Sequence, residues 1–180
     1  MADLTASPAA HVPRHNVRHP DRYHTRQIAM HWTVAFLVVF QYLTGGQMEA
    51  AYLWAVEHGA LPPDGIIVVH AVIGTAILIA MLTRLYLRMK HGAPPPPATE
   101  ARAVQALSRG VHCAFYALLI AMPPFGMAAL WVKAGWLGWA HGTAAWVVAG
   151  LAVLHAAGAL WHASKRDGVI RRMGRGHHYP

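Results

Sequence analysis

The stretch WAHGTAAWVVAGLAVLHAAGALWHA, Trp139 to Ala163, decides how this chain is read. It has no Asp, Glu, Lys or Arg, and its 25 residues exceed the roughly 20 that a helix needs to cross a hydrocarbon core. Yet it holds three histidines: His141, His155 and His162. An ionisable side chain within a membrane span is costly, and its presence points to a functional site. Fourteen residues separate His141 from His155. On an α-helix that is about 21 Å of rise and a return to within about 40° of the same face. One helix therefore presents two imidazoles inward at two depths.

Three more apolar stretches lie upstream: Ile28 to Gln47, Ile66 to Leu87 and Leu107 to Val132. Across the 180 residues, 56% are hydrophobic and 12% charged, against about 25% charged in soluble domains. The fold expected is all-α, an integral membrane four-helix bundle. Residues 28–163 form the membrane domain, 1–27 an N-terminal tail and 164–180 a C-terminal tail. The first stretch starts too late and runs too long for a cleaved signal. Pro123-Pro124 and Gly126 predict a kink in the third span, tolerable inside a bundle. Ala93 to Glu100, with Pro94 to Pro97, reads as an extended linker.

Charge sets the orientation. Of 15 Lys and Arg, 14 lie in the two tails or around the second connection, and Lys133 alone lies in the third. The first connection, Met48 to Gly65, has none and holds Glu49, Glu57 and Asp64. The positive-inside rule puts both termini in the cytoplasm. The formal net charge of +8 follows from basic residues flanking apolar spans, which points to a lipid bilayer and away from nucleic acid.

Topology pairs the histidines. His31 opens the first span on the cytoplasmic side, and His70 opens the returning second span on the outer side. The fourth span carries His141 near its outer start and His155 lower down. The depth-matched pairs are His31 with His155 and His70 with His141. Haem iron takes two axial ligands from opposite sides of the macrocycle, and neutral imidazoles suit it. A plate between facing helices of a bundle receives one from each. The expectation is two non-covalent b-type haems for transmembrane electron transfer. A zinc site would want three or four ligands at one depth, and these four are split between two. Cys113 is the only cysteine, and no Cys-x-x-Cys-His is present, which excludes c-type attachment.

Other positions read less sharply. His162 lies near the cytoplasmic boundary, where it could protonate a quinone or sit among headgroups. His112 opens the third span as a substitute ligand, a propionate partner or an interfacial residue. Arg84 comes 14 residues after His70 and suits an inner haem propionate or snorkels. Gly74, Gly142, Gly150 and Gly158 could admit a flat ring. The remaining histidines lie in tails and connections, where solvation accounts for them.

These residues resemble the bacterial cytochrome b561 family, small di-haem membrane proteins that include superoxide oxidase. The resemblance rests on IAMHW (Ile28–Trp32), VVHAVIG (Val68–Gly74), TRLYLRMKHG (Thr83–Gly92), HCAFYALLIAMPPFG (His112–Gly126) and LHAAGALWHASKRDGVIRRM (Leu154–Met173). It implies that His31, His70, His141 and His155 are haem ligands in the pairs above and that His162 serves a quinone site. It further implies that superoxide is oxidised at the outer face, near Lys133, and ubiquinone reduced near the inner face. Other relatives imply an alternative: an electron-relay subunit between the quinone pool and a periplasmic redox protein or dehydrogenase. The chain departs from the family at Gly142, where relatives often have Glu, and at Ala163, where a second histidine is common.

Overall fold

The computed structural model describes residues 23–96 and 100–165. The tail histidines His11, His15, His19, His177 and His178, and part of the Pro-rich linker, lie outside the described residues.

The first helix, α1 (Thr25–Thr44), begins on a reciprocal cap. The Arg26 N–H donates to His24 Nδ1 at 3.2 Å, and the His24 N–H donates to Gln27 Oε1 at 3.0 Å. This satisfies backbone donors that a helix start leaves bare. The other end of the same Gln27 side chain donates to the carbonyls of Gly92, at 3.0 Å, and Leu87, at 3.4 Å. One residue thus caps α1 and ties it to the end of α3 (Ile66–His91). That end carries Arg88, Lys90 and His91, cations that complement the exposed carbonyls of a helix C-terminus.

A short turn, Gly45–Gln47, leads from α1 into α2 (Met48–His58). Most of the first connection is helix. MEAAYLWAVEH has no Gly or Pro and is rich in helix formers. It ends where Gly59 takes a left-handed φ of 69°. Tyr52 holds α2 in place: its hydroxyl reaches the carbonyls of Ala129 and Ala134, and its ring lies against Gly138.

The two longest helices are α4 (Arg102–Val132) and α5 (Gly135–Lys165), joined by a tight turn at Lys133 and Ala134. Helix persists through Pro123 and Pro124. The two prolines remove N–H donors that would have met the carbonyls of Leu119 and Ile120. All four membrane spans are present, and their helices run beyond the apolar stretches at several ends. The first candidate span, Thr25–His58, takes in α2 as well as α1.

Packing is sequential: α1 lies on α3, α3 on α4, and α4 on α5. A mid-bundle core of Val34, Ile77, Ala80, Met81, Leu119 and Val148 holds the helices together. The outside is apolar too: Phe36, Leu43, Trp131 and Val153 are all more than two-thirds exposed. Four helices long and apolar enough to cross a membrane, with apolar residues facing outward, make this an integral membrane bundle.

Candidate functional site

Toward α1 and α3, helix α5 is not closely packed; named side chains bridge the space. The Tyr42 hydroxyl of α1 donates to the Ala145 carbonyl of α5. The histidines bridge the space as well.

His141 of α5 meets His70 of α3 with ring centroids 6.0 Å apart and planes at 68°. His155 of α5 meets His31 of α1 at 6.1 Å and 65°. The two residues of each expected pair thus lie side by side. Val148, seven residues from each α5 histidine and 2% exposed, belongs to the core between the two levels.

The pair nearer α2 is held from several sides. His141 Nδ1 lies 3.1 Å from the Met122 carbonyl, so Nδ1 carries the proton and Nε2 keeps its lone pair. The His141 ring presses on Gly126, which the sequence reading treated only as part of a kink. Across from it, Gln41 Nε2 donates to the His70 carbonyl at 3.0 Å, while Gln41 Oε1 and His70 Nδ1 are buried without a partner. Gln41 was also missed, although an amide inside the apolar run VVFQY is itself a signal. Of the four glycines expected to flank a ring, Gly74 packs near Gln41, whereas nothing comes within 4 Å of a Cβ built on Gly142, Gly150 or Gly158.

The pair near the basic end has a different setting. Arg84 Nη1 lies 2.7 Å from His31 Nδ1. A guanidinium has only donors, so this contact makes Nδ1 the acceptor. His155 is met edge-on by His112, at 5.2 Å, and by Phe115, at 5.7 Å. His112 Nδ1 is 2.7 Å from the Ser108 carbonyl of its own helix. Among the described residues, no three His, Cys, Asp or Glu side chains gather as a metal-binding set.

At the same end, His162 Nε2 stands 3.2 Å from Glu100 Oε1. Lys133 lies at the opposite end, where it closes α4 in a left-handed conformation, φ 52°. A Cβ on Gly59 would lie 3.5 Å from its Nζ. The amine therefore sits at the C-terminal end of α2, which attracts a cation. It lines an apolar cavity with Val56, Leu61, Leu130 and Trp131, and none of the four histidines borders that cavity.

The family described as prokaryotic cytochrome b561 matches residues 22–176, nearly the whole chain. The chain belongs to that family. It is similar to the cytochrome b562 of Cereibacter sphaeroides, 34% identical over 152 residues, covering 84% of this chain and 94% of that protein. It is also similar to the probable superoxide oxidase CybB of Yersinia pestis, 26% identical over 139 residues, covering 75% and 68%. As a cytochrome b561 it is a bacterial membrane electron carrier, and its cofactor is b-type haem.

Proposed function

We propose that this cytochrome b561 moves electrons across the bacterial inner membrane through two b haems, one held by His70 and His141, the other by His31 and His155. The membrane domain is residues 28–163, and both tails are cytoplasmic. The observation that carries the reading is the pair of histidine couples on α5, at two levels on either side of the mid-bundle core. The ring centroids of each couple lie about 6 Å apart, and paired neutral imidazoles are ligands that haem iron would take.

The residues fit the cofactor. His141 keeps its Nε2 lone pair, and Gly126 leaves room beside its ring. His70 Nδ1 is buried without a partner, and a proton there would leave Nε2 as the atom for the iron. For His31 to offer Nε2, its proton must sit on Nδ1, so Arg84 gives up its present contact. A propionate is the acceptor that a guanidinium suits. Held by these histidines, the haem would supply one-electron transfer.

The activity proposed is superoxide:ubiquinone oxidoreduction. Superoxide is oxidised at the outer face and quinone reduced at the inner face, with His162 giving protons to the quinone and Lys133 drawing the anion. Support comes from the likeness to a probable superoxide oxidase and from a histidine at the basic end of α5. A second reading, an electron relay that docks a periplasmic redox protein, is favoured by one observation. The outer connection holds Glu49, Glu57 and Asp64, and its helix α2 is pinned to the bundle.

Stopped-flow mixing of the purified holoprotein with superoxide, with and without ubiquinone, tests the activity. Rapid haem reduction followed by quinone-dependent reoxidation is expected, and failure of superoxide to reduce the haems would remove the enzyme reading. The ligand assignment predicts two haems per chain by pyridine haemochrome. His141→Ala should lose one and keep the other. Alkaline phosphatase fused after Gly59 should be active and after Ala98 inactive; the reverse overturns the orientation.

A further inference from the structure

Glu100 is the only Asp or Glu among the described residues at the basic end, where Arg26, Arg84, Arg88, Lys90, Arg102 and Lys165 also lie. Its carboxylate nevertheless pairs with a histidine, His162 Nε2 at 3.2 Å, and both side chains are largely shielded, at 9% and 15% exposure. The loop that carries it is fastened to α4, because Gln105 Nε2 donates to the Glu100 backbone carbonyl at 3.0 Å. A lysine or arginine partner would make a permanent clasp. An imidazole gains and loses a proton near neutral pH, so this acid faces a group that can do chemistry.

We infer that Glu100 is the positioning residue for proton delivery at His162, a role that rests on the proposed quinone reduction there. Its carboxylate accepts the Nε2–H bond, fixes the ring's orientation and offsets the charge of an imidazolium. The proton on Nδ1 is then the one the ring passes on. An acid oriented against one imidazole nitrogen in this way governs what the other nitrogen does. The balance closes with what the proposed reaction supplies. Two superoxide ions each lose one electron and leave as dioxygen. One quinone takes those two electrons and two protons and leaves as quinol, and water on the cytoplasmic side reprotonates His162.

The test uses holoprotein and a short-chain ubiquinone, with initial rates of haem reoxidation measured across quinone concentrations. Glu100→Gln keeps an acceptor for Nε2–H but no charge. It should lower kcat about tenfold, short of the roughly 10²–10⁴-fold that a positioned proton donor itself contributes because His162 remains, while KM stays within about twofold. Glu100→Asp should restore most of the rate, and the haem spectra of both should match wild type. Wild-type kcat in Glu100→Gln overturns the inference, as does loss of haem in both variants, which would mark a purely structural clasp. His162→Gln separates the two levels of argument. If it leaves quinone turnover unchanged, the quinone reading at this end fails and the inference with it. If it abolishes turnover while Glu100→Gln keeps the wild-type kcat, the inference alone fails.

Discussion

Gly126 stands so close to His141 that a methyl group on its α-carbon would come within 2.9 Å of the imidazole Cε1. Real Cβ atoms do not approach that closely, so a side chain at 126 must move the ring. The ring can move more cheaply than the backbone of α4, and the damage should fall on ligation and not on folding. Gly126→Val is therefore expected to remove the haem held by His70 and His141 and to spare the other. Pyridine haemochrome should fall from two haems toward one per chain while helix content by circular dichroism holds. A Gly126→Val protein with both haems and an unshifted spectrum would show that His141 is not fixed at this contact.

Gln27 sits one helical turn before His31 and is buried, with its amide shared between the α1 cap and the end of α3. Gln27→Leu conserves bulk but leaves the Gly92 carbonyl and the His24 N–H without this partner. A buried group left unpaired costs about 1–3 kcal/mol. The variant should lose stability in detergent by an amount in that range and so melt at a lower temperature than wild type. Because α1 positions His31, the haem near the basic end should be the first released on heating. An unchanged melting temperature would mean that water replaces the amide.

Gln41 is the converse case. Its Nε2 holds the His70 carbonyl, but its Oε1 is buried without a partner. A typical hydrogen bond contributes about 1 kcal/mol net, while a buried unpaired polar atom costs about 1–3 kcal/mol. The second figure equals or exceeds the first, so Gln41→Leu is expected to leave stability unchanged or raise it by about 1 kcal/mol. Thermal unfolding beside Gln41→Ala, which opens a cavity instead, separates the polar effect from packing. A large loss with Leu would mean that Oε1 has a partner in the haem-loaded protein, with the unpartnered His70 Nδ1 the first candidate.

The histidine pairs were legible because helix period and topology fix them: 14 residues, two depths, antiparallel neighbours. Membership in a membrane class followed from charge scarcity and from four apolar stretches long enough to span. What the sequence did not reveal depends on how helices meet. Arg84 faces His31 because α3 packs on α1, and no spacing along the chain relates residues 53 apart. Glu100 reaches His162 from a proline-rich connection that reads as a linker. Gly126 matters through its approach to α5, and not through the kink its neighbours suggested. Helix α2 was not legible because the acidic segment Met48–His58 lacks a strong apolar face.

Lys133 separates the two functional readings by electrostatics. Its amine lies beside Gly59 at the end of α2, on the face that also carries Glu49, Glu57 and Asp64. As a superoxide attractor it works against those three acids and shares its charge with the α2 carbonyls. Lys133→Glu changes the local charge by two units. Acting across about 10 Å of water, that is worth about 0.8 kcal/mol before screening, or about fourfold in rate. With a Debye length of about 8 Å at physiological salt, most of the effect should vanish as ionic strength rises. A superoxide oxidase should therefore show haem reduction slowed about fourfold at low salt in Lys133→Glu, converging on wild type at high salt. Electron exchange with quinone at the opposite end should be unchanged. The relay reading expects the reverse. Superoxide would reduce wild type and variant equally slowly, and a basic soluble redox protein would exchange electrons fast at low salt, faster still with the added acid, because Glu49, Glu57 and Asp64 would then be its landing surface.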